Sequence, residues 1–221
     1  SIIDPGKSGK DSLVYSSFFG GTGDDKGHGV AVSFTGSLIT IVGFTASSDF
    51  PTTANSYQPK SPAAHFTSNG YVAQFTSSRP GEQSSQYMTG YCTYLGGQTD
   101  AARDDAYGVA IDPQGLILVT GRTQSYDFPM NGSSMPSIYN SATYLLQNAS
   151  NDEPYLVKIN PTLSGTASLA YATFLGGGST NNTGGAFCTS VAFDSKGTAY
   201  VGGETNNQVG IQYVYSPTPV E

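Results

Sequence analysis

Two pairs of adjacent aspartates are the residues best suited to chemistry: Gly23-Asp24-Asp25-Lys26-Gly27 and Ala102-Arg103-Asp104-Asp105-Ala106. Carboxylates joined by loop carbonyls bind Ca²⁺. A glycosidase would use two carboxylates as acid and base. Such catalytic pairs come from separate places in a chain and occur once, whereas these are adjacent and repeated, as a structural element would be. No EF-hand-like series of oxygen ligands surrounds them. The competing role is to cap turn N–H groups and to pair with Lys26 or Arg103. Asp24, Asp25, Asp104 and Asp105 are therefore the candidate ligand-binding residues, with Ca²⁺ as the one cofactor they would take. No catalytic residue and no metal site is assigned.

The remaining reactive residues form no constellation. His28 takes the place that Tyr107 holds in a related segment, and His65 lies in a loop. With no Cys/His ligand cluster, zinc is not expected. No Gly-x-Ser-x-Gly elbow and no phosphate-binding glycine motif is present. Cys92 and Cys188 could make at most one bridge, and two buried thiols are the favoured reading. Sequons at Asn131, Asn148 and Asn181 mark exposed loops only. Tyr57, Tyr126, Tyr139 and Tyr144 could stack on sugars or on a protein, or could simply cover sheet edges.

Composition narrows the classes further. The 221 residues include 28 Gly, 12 Pro and 15 Tyr but only 11% charged side chains. This suits a β-rich protein with many turns. A net charge of −7 with scattered basic residues argues against nucleic acid as a partner. No apolar stretch is long enough for a membrane span. The abundance of Ser, Thr, Asn and Gly suits a secreted, periplasmic or cell-surface bacterial protein. Ser1-Ile2-Ile3-Asp4-Pro5 does not read as a signal peptide.

What must position these residues is a repeat. Aromatic runs ending in Gly-Gly occur at residues 15–21, 91–97 and 171–177, spaced 76 and 80 apart. Each is followed by a short apolar run (Gly29-Val30-Ala31-Val32, Gly108-Val109-Ala110-Ile111, Ser190-Val191-Ala192-Phe193) and then by Val42-Gly43-Phe44-Thr45, Thr120-Gly121-Arg122-Thr123 or Val201-Gly202-Gly203-Glu204-Thr205. Near-constant spacing means one supersecondary unit copied in tandem.

Each unit supplies four strand candidates. Strand a is the apolar run, beginning at Val30 in the first unit. Strand b covers residues 38–45, 117–123 or 198–205, after a turn whose fixed glycine predicts positive φ. Strand c covers 71–75 or 155–159, and strand d is the aromatic run. The b–c link is long and carries Asp49-Phe50-Pro51 or Asp127-Phe128-Pro129, whose Phe is expected to dock on the sheet.

An antiparallel a-b-c-d sheet cannot bury both faces alone. Radial stacking solves that, so the expected fold is all-β, a β-propeller of four-stranded antiparallel blades, about three in this chain. Residues 1–221 form one propeller region with repeats at about 22–97, 98–177 and 178–221. An orphan strand d over 13–19 completes a blade, either within a longer protein whose other blades lie elsewhere or in a neighbouring copy, and residues 211–215 could serve as a last strand c with no strand d after it.

The combination of Tyr15 to Gly21, Gly29 to Ser33, Val42-Gly43-Phe44-Thr45 and Asp49-Phe50-Pro51, with its second copy, resembles the bacterial SBBP (seven-bladed β-propeller-type) repeat family. The third copy departs from it, with Gly185-Ala186-Phe187 in place of the aspartates and no Asp-Phe-Pro. The resemblance implies a propeller in a secreted or surface-exposed bacterial protein, and no particular reaction. Three roles are expected, in this order. The first is a non-catalytic scaffold that binds a protein partner or its own copies through open strand edges. The second is a lectin-like glycan binder, and the third a hydrolase or lyase at the propeller axis.

Overall fold

The computed structural model describes residues 1–62, 68–76, 88–98, 102–125, 127–130, 152–175 and 186–205. The described residues are all-β, with two short 3-10 turns among them. Strands β1 (Ile2–Ile3) and β2 (Leu13–Tyr15) pair as a small hairpin. Strands β3 (Asp25–Val32), β4 (Leu38–Thr45), β5 (Asn69–Thr76) and β6 (Met88–Leu95) form a four-stranded antiparallel meander. Strands β7 (Asp104–Ile111), β8 (Ile117–Thr123), β9 (Glu153–Ile159) and β10 (Leu169–Phe174) repeat it. Strands β11 (Ala186–Phe193) and β12 (Ala199–Thr205) repeat its first half. His65, Tyr126, Tyr139, Tyr144, the three sequons and residues 211–215 lie outside the described residues.

The β3–β4, β7–β8 and β11–β12 turns each place a glycine at positive φ: Gly36 at 72°, Gly115 at 83° and Gly197 at 82°. In the second and third of these, an aspartate ahead of the glycine locks the turn. Asp112 Oδ1 accepts from the amides of Gln114 and Leu116, and Asp194 Oδ1 from those of Lys196 and Thr198. This explains an aspartate after an apolar strand, where β-propensity alone disfavours it.

The two meanders pack face to face. Val42, Val72, Tyr91 and Leu95 of the first bury against Ile117, Val119, Val157, Ile159 and Leu169 of the second. The innermost strands β3 and β11 both contact β7. The expected Phe docking holds: Phe50 and Phe128 are buried, Phe50 beside Tyr71 and Phe128 with its ring 4.4 Å from Tyr155. Both cysteines are free and buried, and burial pushes the Cys92 thiol up to about 12. Tyr57, weighed above as a stacking aromatic or as cover for a sheet edge, takes the second role: it is half-buried against the core, its amide donating to Tyr91 Oη of the edge strand β6 at 3.1 Å.

Two strand expectations are corrected. Strand a begins at Asp25 and Asp104, earlier than its apolar residues indicate. The segment 13–19 is a strand only over Leu13–Tyr15. It pairs with just two residues of β1, whereas the matching β10 runs six residues along β9. A strand extends only as far as its backbone groups find a partner.

Candidate functional site

The acidic pairs lie in the crossovers into the first and second meanders, and the structure gives three of the four carboxylates protein partners. Asp25 Oδ2 accepts from the Gly21 amide at 2.8 Å and from Ser47 Oγ. Asp104 does the same with the Gly97 amide at 2.8 Å, Ser125 Oγ at 2.9 Å and Thr123 Oγ1. Burial pushes the Asp104 carboxyl up to about 6 despite these donors. The aspartate of Asp-Phe-Pro takes the next amide: Asp49 accepts from Thr22 and Asp127 from Gln98. Each of these two Gly-Gly pairs is therefore a docking point for two carboxylates. A Cβ on Gly21 or Gly97 would collide with Asp49 or Asp127.

The two acidic pairs are not equivalent to one another. Asp25 matches Asp104, each opening its strand opposite Thr45 or Thr123. Asp24 therefore matches Arg103, and the carbonyl of each accepts a backbone bond, from the amides of Ala46 and Gln124 respectively. Asp24 is exposed. Asp105 matches Lys26 and enters a different network. Asp105 Oδ2 lies 2.7 Å from Arg122 and 3.2 Å from Tyr107 Oη, which donates to it. Arg122 also pairs with Asp152 at 2.8 Å, which accepts from Gln124 as well. The neighbouring Glu153 is pushed up to about 7 by burial and then by Asp152. Burial, followed by Asp105, pushes Tyr107 up to about 12. Among the described residues no group of three or more His, Cys, Asp or Glu side chains could hold a metal ion.

Sequence reasoning missed a repeated bulge on the inner strands. The register shifts at Gly27/Gly29, Ala106/Gly108 and Cys188/Ser190, so His28, Tyr107 and Thr189 are extra residues. Bulges bend a strand and re-aim a side chain. His28 stacks on Tyr107 with centroids 4.8 Å apart and lies 3.1 Å from the Ala106 carbonyl. The glycine after the first two bulges makes room for the next strand. A Cβ on Gly29 would lie 2.5 Å from the Tyr107 carbonyl oxygen, and one on Gly108 would lie 3.0 Å from that of Thr189. The recurring Gly-x-Ala-Val or Gly-Val-Ala pattern was the available signal, but it marks the glycine and not the side chain before it.

The first meander has one face turned away from the second. Ile39 and Ile41 occupy the places of Ile117 and Val119, opposite Val32 and Val30 as those are opposite Ile111 and Val109. Ile117 and Val119 are fully buried, while Val30 is 66% and Val32 57% exposed. Phe19 reaches across, its ring edge-on to Phe50 and Phe75. A groove of about 490 Å³ remains between Ile2 and Phe19 on one side and Val30, Ile39, Ile41 and Phe75 on the other. Among the described residues no helix is long and apolar enough to cross a membrane.

No curated protein matches the chain. A family model does: residues 89–129, which run from strand β6 through the crossover, the bulged inner strand and β8 to the docked Phe128-Pro129, match the SBBP β-propeller repeat. The matched segment is thus similar to an SBBP β-propeller repeat, and the same lock, bulge and docked phenylalanine recur in the first meander.

Proposed function

We propose that this propeller-type chain is a non-catalytic scaffold, secreted or held at a cell envelope, that engages protein chains through blade faces left open. The observation that carries this reading is the first inner strand. Val30 and Val32 stand open, whereas their equivalents Val109 and Ile111 are half-buried. Isolated exposed apolar residues are ordinary, but a row of them beside an apolar groove is an interaction surface. Three of the four aspartates weighed for chemistry, Asp25, Asp104 and Asp105, are tied to other protein groups.

The test is the variant carrying both Val30→Asp and Val32→Asp. Sedimentation over a wide concentration range should show weaker association than the unsubstituted chain, with an unchanged β-type circular dichroism spectrum. In pull-downs from secreted or envelope fractions, partners held by the unsubstituted chain should be lost. Equal association and equal capture by both chains would remove the reading.

A further inference from the structure

The seam between the two meanders is closed by a buried acid on the first residue of β7. Asp104 accepts there from the Gly97 amide and from Ser125 Oγ. The first residue of β5 reaches the same spot. Asn69 is buried, and its Oδ1 and Asp104 Oδ2 would lie 2.6 and 2.7 Å from a Cβ placed on Gly96. The start of strand c in one blade thus meets the start of strand a in the next.

The seam between the second meander and the β11–β12 sheet has the same backbone frame and different side chains. Strand β11 packs on β7, β8 and β9. The Ala186 amide donates to Asp152 O at 2.9 Å, as the Asp104 amide donates to Ser68 O at 3.0 Å. Ala186 lies opposite Thr205 as Asp104 lies opposite Thr123. Glu153 lies opposite Thr123 as Asn69 lies opposite Thr45. Ala186 therefore stands in the place of Asp104, and Glu153 in that of Asn69. The inner strand carries no carboxyl here, and its strand-c neighbour carries one.

We propose that Glu153 is the acid of this second seam, supplied from strand c where strand a has none. Position excludes the other acids. Residues 176–185, which lie between β10 and β11, contain no Asp or Glu. Asp152 is held by Arg122 and by Gln124 Nε2. Glu204 is exposed on β12. Glutamate reaches one methylene further than asparagine, toward the space that the buried Ala186 methyl leaves. An acid from each strand would set two like charges together in one seam, which raises the cost of ionising either.

This placement couples the second seam to pH. On β9, Tyr155 and Lys158 are engaged elsewhere, with the Asp105 carbonyl and with Asp112. The neighbouring elements bring Arg122 on β8, Tyr171 on β10 and Cys188 on β11. Arg122 is already shared by Asp105 and Asp152. Burial first and Asp152 second push Glu153 up to about 7 from 4.5. A proton held more tightly in the folded chain stabilises it in full below about pH 4.5, and that contribution is lost as pH rises through about 7.

The test is a double-mutant cycle on the whole chain, read as the urea midpoint at pH 5, where the Glu153 carboxyl is protonated. Glu153→Asn and Ala186→Asp should each lower the midpoint, the first by removing the acid and the second by crowding the seam with two. The chain carrying both re-creates the pairing of Asn69 with Asp104 and should recover most of the loss, with slower amide exchange on β11 than in either single variant. Midpoints followed from pH 5 to pH 8 give a readout that packing alone does not move. Glu153→Gln, nearly the same size, should lose the part of the fall centred near 7. The double variant should shift that part toward about 6, the value that burial gives Asp104. Single effects that simply add in the double variant overturn the exchange of roles. A fall near pH 7 that survives Glu153→Gln overturns Glu153 as the seam acid, whether or not the Ala186→Asp chain folds.

Discussion

The carboxylate of Asp104 lies 2.8 Å from the amide nitrogen of Gly97, and so ties the start of an inner strand to the end of the preceding blade. The bond is local in space but spans the joint between two sheets. Its strength therefore bears on how firmly successive blades are held.

The Asp104 carboxyl titrates at about 6 in the folded chain, against 3.8 for an ordinary aspartate, because it is buried. A raised carboxyl binds its proton more tightly when folded. Its contribution is thus most favourable below about pH 4 and is lost as pH rises through about 6, by roughly 3 kcal/mol. Glu153, raised to about 7 from 4.5, adds to the same trend. Urea unfolding of the unsubstituted chain and of Asp104→Asn, at pH 4 and pH 7, should show a stability difference that shifts in favour of the variant at the higher pH. An identical difference at both values would mean that the charge on Asp104 is not what burial penalises.

Arg122 neutralises Asp105 and Asp152 together, with side chains 22%, 5% and 20% exposed respectively. Arg122→Ala leaves a buried carboxylate unpaired and should lower unfolding free energy by about 3–5 kcal/mol. Arg122→Lys should recover only part of this, since one ammonium cannot reproduce the planar fork that reaches both partners. Denaturant midpoints for the three chains decide it; a lysine variant as stable as the arginine chain would contradict the forked geometry.

Gly29→Ala places a Cβ 2.5 Å from the Tyr107 carbonyl oxygen. The backbone must move to admit it, for a loss of about 1–3 kcal/mol in thermal or urea unfolding. Gly115→Ala, in a turn with no heavy atom near the would-be Cβ but with φ of 83°, should also destabilise, through left-handed strain alone. The two differ in a readout of packing. Only Gly29→Ala should speed amide exchange on both β3 and β7.

Much of this architecture is written in short-range signals. Strand b was legible at 38–45 and 117–123 because glycine turns bound it on one side and Thr on the other, and β4 and β8 occupy those residues. The docking of Phe50 and Phe128 was legible because an apolar residue recurred in otherwise polar links. The backward reach of β3 and β7 was not, because Asp25, Lys26 and His28 look like loop residues. They are strand because a neighbouring strand and a bulge satisfy their backbones, which is a tertiary effect. For the same reason the aspartate pairs look equivalent by eye. The one-residue offset between Asp25 and Asp104 is set by ladder partners, which no spacing of acidic residues reveals. The tripartite link of Arg122, Asp105 and Asp152 joins residues far apart along the chain and has no local trace.

The hydrogen that Gly29 and Gly108 carry in place of a methyl lets one blade's inner strand nestle against the next. How near two sheets come at their inner edge sets the wedge angle between them, and wedge angles summed around a circle set how many sheets fit. Where such sheets close into a ring, the number it holds is therefore adjustable through single atoms at these positions, with the hydrogen-bonded ladder inside each sheet left as it is.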